Sequence, residues 1–257
     1  MEEPLPSVVS LWNTSLSYIT RNADIKDHRH YCFKVAVSLN HTVNCWISQS
    51  PYIGIRGFIV NQKKLHSCAS PEGPVLNNLV EPESAWGRKL KELLGGQDFM
   101  TFEQAFDVGN LKSVLPANYT SLSNDALKWH IQRLMSLVTG NDQDHLVQID
   151  VRVQRVLQLL DENLYVTIPR KQIQELTFLS FERCRHLFAQ EMGIPMSRYI
   201  LWQKLRRSLK DLVAGNGSLT DVSKKYGFAD PSHFNRRFKQ VFGVNPSTFL
   251  LECRLII

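Results

Sequence analysis

The stretch "GFADPSHFNRRFKQVFGVNPSTF", Gly227–Phe249, decides how the second half of the chain is read. Counted from Phe234, the apolar residues Phe238, Val241 and Phe242 fall at +4, +7 and +8, one face of an α-helix. Ser232, Asn235, Arg236 and Lys239 fall on the opposite face. Asp230 suits the N-cap, and Pro231 suits the first helical position because the N–H it lacks would have no partner there. Gly243 suits the C-terminal cap. The pattern therefore predicts a helix that buries its aromatics and displays its cations.

The same pattern occurs once more upstream. "LFAQEMGIPMSRYI" (Leu187–Ile200) matches "RFKQVFGVNPSTFL" (Arg237–Leu250) at an offset of 50. Phe188 pairs with Phe238, Gln190 with Gln240, Gly193 with Gly243 and Ser197 with Ser247. Before the turn the offset falls to 49, matching Ile173 with Val222 and Leu179 with Phe228, so the second copy carries one extra turn residue. Each copy reads as a short helix, a tight turn ("TFLS", Thr177–Ser180; "GFAD", Gly227–Asp230) and a second helix with an outer polar face. A repeated helix–turn–helix is far more specific than a single one. In the first copy Cys184, Leu187, Phe188 and Met192 face inward, and Glu182, Arg185 and His186 face outward.

Between the copies, "MSRYILWQKLRRSLKDLV" (Met196–Val213) predicts one helix on the order of 27 Å long. Successive turns of a DNA major groove lie about 34 Å apart along one face, so such a helix permits two groove contacts without forcing them. Charge points the same way. The chain carries a formal +6, with 17 Lys and Arg against 9 Asp and Glu from residue 151 onward, a net +8 that leaves −2 for residues 1–150. A basic back half implies a polyanionic partner. With 43% hydrophobic and 21% charged residues the chain can bury a core, which excludes wholesale disorder. The five cysteines (Cys32, Cys45, Cys68, Cys184, Cys253) form no CxxC pair, so neither a zinc knuckle nor a disulfide framework is signalled. "MEEPLPSVVSLWN" lacks the cations of a signal peptide, and no stretch reaches the length of a membrane span. A cytoplasmic location is the expectation.

The front half reads differently. "YCFKVAVSL" (Tyr31–Leu39), "VNCWIS" (Val43–Ser48) and "IGIRGFIV" (Ile53–Val60) are β-branched and aromatic runs separated by turn signals, which predicts a small antiparallel barrel or sandwich. Helical periodicity takes over in "SAWGRKLKELL" and "DALKWHIQRLMSLV", and "GNDQD" (Gly140–Asp144) reads as a linker. No Ser/His/Asp arrangement, phosphate-binding loop or dinucleotide fingerprint is present.

Residues 150–257, and above all "WQKLRRSLKDLVAGNGSLTDVSKKYGFADPSHFNRRFKQVFGVNPS" (Trp202–Ser247), resemble the AraC family of bacterial transcription regulators. The resemblance implies an α+β chain: a cupin-like sensing and dimerisation domain over residues 1–120, a helical connector over 121–149, and a DNA-binding domain over 150–257. It implies that Glu182, Arg185 and His186, and in the second copy Pro231, Ser232, Asn235 and Arg236, read base edges. Arg198, Arg237, Lys239, Ser247 and Thr248 then face phosphate, and Lys204, Arg206 and Arg207 on the linker helix are either phosphate contacts or a solvated face. Arginine bonds guanine bidentately and asparagine suits adenine, whereas Glu182 repels the backbone and either accepts from a cytosine amino group or selects against wrong sites. The implied partners are double-stranded DNA, RNA polymerase, an unidentified small-molecule effector and a second copy of the chain in a homodimer, with no membrane, no cofactor and no catalytic residue.

The resemblance also draws attention to "HRHYCFKV" and "KKLHSC". Many relatives carry an HxH in a cupin-like barrel, a later His, and a step such as "VEPESAWGRKL" (Val80–Leu90). Here His28, His30 and His66 are candidates for an effector or metal pocket. The carboxylate that a metal-binding cupin places a few residues on is missing, and Lys34 stands in that neighbourhood. Buried histidines satisfied by hydrogen bonds, or lining a small-molecule pocket, are the expectation, and no metal is assigned. The rival reading is a metal-dependent cupin enzyme with a DNA-binding tail.

Overall fold

The computed structural model describes residues 7–11, 15–20, 23–38, 41–105, 122–140, 148–164, 167–251 and 253–256. They divide into two compact units, one gathering the residues up to Gly140 with those from Phe238 onward, the other running from position 148 to Arg237.

The first unit is built on β-strands. β1 (Ser7–Leu11), β2 (Ser15–Thr20), β4 (Phe33–Ser38), β7 (Gly57–Val60), β9 (Val75–Val80), β10 (Phe99–Thr101) and β11 (Cys253–Ile256) form a seven-stranded sheet in the order β10-β7-β4-β9-β2-β1-β11. β3 (Ala23–His28), β5 (Val43–Ile47), β6 (Ser50–Ile55) and β8 (His66–Ser70) form a second sheet in the order β3-β8-β5-β6. Pairing is antiparallel except between β1 and β11, which run parallel with Ser7 opposite Cys253. The barrel expected from the sequence is therefore open. Among the described residues no strand pairs across from one sheet to the other, because β10 and β11 end the large sheet and β3 and β6 end the small one.

Every position of β4 and β9 is buried. A strand covered on both faces reads as a continuous apolar run rather than an alternation, which is why "YCFKVAVSL" shows no period of two. Phe33, Val35 and Val37 pack beneath two helices, α1 (Ala85–Leu94) and α3 (Asn124–Thr139), against Leu90, Leu94, Leu127, Ile131 and Leu134. The other parity of β4 faces the small sheet, where Ala36 joins Phe58, Val60, Val43, Cys45 and Cys68. Lys34 shares that parity, with its Nζ 4.0 Å from Cys68 Sγ and 5.6 Å from the Phe58 ring centroid. Each large apolar side chain so covered contributes about 1.5–3 kcal/mol. Ser84 and Ser123 cap α1 and α3 by accepting from Gly87 N–H and Ala126 N–H. A four-residue helix, α2 (Phe102–Ala105), follows β10.

The second unit is helical. α4 (Val151–Glu162) packs on α5 (Arg170–Thr177) and α6 (Phe181–Met192); α6 meets α7 (Met196–Val213), and α7 meets α8 (Leu219–Lys225). Side-chain caps start them where the sequence placed Ser or Asp: Asp150 on α4, Ser180 on α6 and Ser218 on α8, the last in a reciprocal capping box with Asp221. Phe188 meets Tyr199 edge-on at 5.7 Å, closing α6 over the start of α7. α9 (Pro231–Phe242) starts in this unit and ends in the unit of sheets.

The residues after α9 complete the unit of sheets. α9 stops at Gly243 with φ 77°, where a Cβ would lie 2.5 Å from Ile25 Cγ2, so both backbone and space demand glycine. Arg29 N–H donates to Gln240 O at 3.1 Å. α10 (Pro246–Leu251) then carries Phe249 against Tyr18 of β2 at 5.3 Å and against Phe238 and Phe242 at 5.8 and 5.7 Å.

Candidate nucleic-acid interface

Each helix–turn–helix is set by a cap on either side of its turn. In the first, α5 ends at Phe178 in left-handed backbone with φ 55°, and Ser180 then accepts from Arg183 N–H to begin α6. In the second, Gly227 takes the same conformation with φ 71°, and Asp230 begins α9 by accepting from His233 N–H at 2.7 Å. The extra residue of the second turn is Ala229, between Phe228 and the cap.

The turns aim two helices whose inner faces are closed. Cys184, Phe188 and Met192 are buried on α6, as are Phe234, Phe238, Val241 and Phe242 on α9, with Phe228 against Phe234 edge-on at 5.0 Å. The outer faces hold the residues expected there. Glu182, Arg185 and His186 are exposed on α6; Ser232 and Arg236 are exposed on α9, while Pro231 and Asn235 are half-buried. Asn235 Oδ1 is itself buried without a hydrogen-bond partner. Of the phosphate-facing candidates, Arg198, Lys239, Ser247 and Thr248 are exposed. Arg237 is half-buried, with its Nε 3.3 Å from His233 Nε2.

Two features were missed in the sequence. Arg185 Nη1 donates to both carboxylate oxygens of Glu182 at 3.0 and 3.1 Å, so the acid that repels phosphate also holds the arginine beside it. Their spacing of three residues on a helix is the signal that was available. Arg207 on α7 donates to the Asp161 carboxylate and carbonyl at the end of α4, which gives this linker cation an intramolecular role. Lys204 and Arg206 are half-buried on the same helix.

In the unit of sheets, His28, His30 and His66 converge, each offering a ligand atom within 4.8 Å of the others. β3 pairs with β8 so that His28 lies opposite His66, after a register shift between Ile25 and His28. His28 Nε2 is 3.0 Å from His30 Nε2. Burial lowers all three basicities and the Lys34 ammonium adds to it, leaving His28 at about 3; neighbouring imidazoles lower His30 and His66 as well. The trio is thus neutral at ordinary pH.

A family profile described as a helix-turn-helix domain matches residues 175–252, from the last turn of α5 through the second copy of the repeat. The chain carries an AraC-type helix-turn-helix domain. Over 104 residues it is 32% identical to the XylDLEGF operon transcriptional activator of Pseudomonas putida, a match covering 39% of this chain and 32% of that one. The chain thus spans about a third of the length of the curated relative it matches. Apo ToxT from Vibrio cholerae, crystallised as a variant, has the same fold throughout: TM-score 0.61 at 10% identity, over 95% of this chain and 99% of that one. ToxT bound to an unsaturated fatty acid gives a TM-score of 0.57 at 13% identity over 98% of each chain. The helix-turn-helix domain here is joined to an open pair of sheets, in a fold similar to that of ToxT.

Proposed function

We propose that the chain is a sequence-specific DNA-binding transcriptional activator. The observation that carries this reading is the doubled arrangement of a capped helix with a closed aromatic inner face and an exposed polar outer face. Residues 150–257 serve as the DNA-binding domain, with α6 and α9 each entering a major groove, 121–149 as a connector, and residues 1–120 as a sensing and dimerising domain. The P. putida relative is named as an operon activator, which favours activation through RNA polymerase. Paired operator half-sites favour a homodimer. No described helix is long and apolar enough to cross a membrane.

An effector completes the reading. Lys34 is fully buried, and among the described residues no carboxylate pairs with it. A buried ammonium without a counter-charge is costly. The effector we propose is a small organic acid whose carboxylate pairs with Lys34, in keeping with the fatty acid held by ToxT.

The test is binding of the full chain to operator and random duplex at several salt concentrations. Affinity falls steeply with salt as phosphate contacts release counterions. Arg236→Ala costs about 1–3 kcal/mol on the specific site and relaxes preference at one base pair. An unchanged ratio of operator to random binding in that variant would remove Arg236 from base reading.

A further inference from the structure

The DNA-binding reading makes no use of the three buried histidines. We propose that His28, His30 and His66 bind a divalent transition-metal ion through three imidazole nitrogens, leaving a fourth position for an anionic ligand. This goes beyond the DNA-binding reading and does not depend on it.

Convergence is the first argument. Ligand atoms from all three residues lie within 4.8 Å of one another. Tetrahedral coordination at about 2.0–2.1 Å places donor nitrogens about 3.3 Å apart. The closest pair here, His28 Nε2 and His30 Nε2, stands at 3.0 Å, so side-chain rotations of modest size complete the triangle.

Orientation is the second. His28 Nδ1 lies 2.7 Å from Lys26 O and His66 Nδ1 lies 2.9 Å from Lys64 O. A carbonyl can only accept, so each Nδ1 carries the proton and each Nε2 keeps its lone pair. Ligating imidazoles are fixed in this way by a backbone carbonyl on the far nitrogen.

The cluster also lacks hydrogen-bond partners. His66 Nε2 and His30 Nδ1 are buried without a hydrogen-bond partner. An unsatisfied buried polar atom costs about 1–3 kcal/mol. Within the trio His28 and His30 share one side-chain bond. A metal ion would satisfy the idle Nε2 of His66. It would also let His30 release its Nε2 proton and hold one on Nδ1.

Donor type sets the metal class. Three neutral imidazoles suit zinc, cobalt, nickel or copper, and not magnesium or calcium, which take oxygen. Lys34 sets the fourth ligand. Its ammonium acts electrostatically on all three imidazoles, and it would oppose a dication whose open position held neutral water. An anion there, hydroxide or carboxylate, offsets both charges.

The experiment uses the purified full chain, stripped with chelator and titrated with cobalt(II) alone, then with zinc(II) in competition with a colorimetric chelator. One equivalent of cobalt should bind, with the intense visible bands of a four-coordinate ion, and zinc should displace it. His66→Ala should weaken cobalt binding at least tenfold, beyond what loss of an outer-shell partner alone produces at its weakest. His41→Ala and His130→Ala should bind as the parent does. If His66→Ala fails to fold by circular dichroism, His66→Gln and His28→Gln carry the comparison. Imidazole nitrogen resonances of the parent give a variant-free readout, since zinc should move three histidines and leave the others in place. Less than stoichiometric uptake by the parent, unchanged affinity in the folded variants, or zinc-induced shifts at other histidines would each overturn the site.

Discussion

Phe178 and Gly227 stand at the same position in the two helix–turn–helix repeats, and both lie in left-handed backbone, with φ 55° and 71°. Side chains other than glycine reach this region only at a cost of about 1 kcal/mol. Phe178 gains little in return, because it is 86% exposed. Phe178→Gly should therefore hold stability level or raise it by up to about 1 kcal/mol, while Gly227→Ala lowers it by about 1 kcal/mol. Urea denaturation of the two variants checks the opposite signs.

The aromatic inner face and the cationic outer face of α9 should separate cleanly under mutation. Phe234 is fully buried, so Phe234→Ala should cost about 3–5 kcal/mol and remove DNA binding together with the fold. Arg236 is exposed, and Arg236→Ala should leave the melting temperature in place while weakening operator binding. Thermal melts run beside binding isotherms give both readouts. A matching loss of stability in Arg236→Ala would make that residue structural.

For Arg185 to meet a guanine it must leave Glu182. The pair is exposed, with side chains 54% and 64% accessible, so it contributes only about 0.2–1 kcal/mol and opens readily. Glu182→Gln should barely alter stability. It should raise affinity for random duplex and narrow the gap between operator and random sequence, since a repulsion that penalises wrong sites is gone. Competition binding at fixed salt measures that gap.

Asp150 makes a pH-dependent cap for α4. Its side-chain hydrogen bonds from Arg152, and the bond from Arg152 N–H, hold its carboxyl down at about 2. A depressed carboxylate stabilises the fold above its unfolded value of about 3.9, and the contribution is lost as pH falls through the folded value. The carboxyl and its arginine partner are both part-exposed, so solvent screening keeps the effect small. Carbon chemical shifts should place the Asp150 midpoint near 2 in the parent and closer to 3.9 in Arg152→Ala.

The helical half was the more legible in the sequence. Helix periodicity, Asp230 before Pro231 and the span Met196–Val213 are local signals, and α7 and α9 occupy those residues. The left-handed turn at Phe178 was hidden, because phenylalanine gives no sign of positive φ where glycine does. The front half gave its strands but not their closure. β4 lost its alternation by being covered on both faces, and nothing in "HRHYCFKV" shows that a register shift sets His28 opposite His66. β11 was missed altogether, since four residues after a helix carry no mark of a partner strand at Ser7–Leu11.

That last pairing dictates an order of assembly. Loop closure over so long a chain separation is slow compared with the local contacts of helices. During synthesis β1 must wait at the rim of its sheet until the whole helical half has left the ribosome. Until then the rim offers unpaired amides to any passing strand, a window for misassembly that a chaperone or a faster-folding neighbour would have to cover.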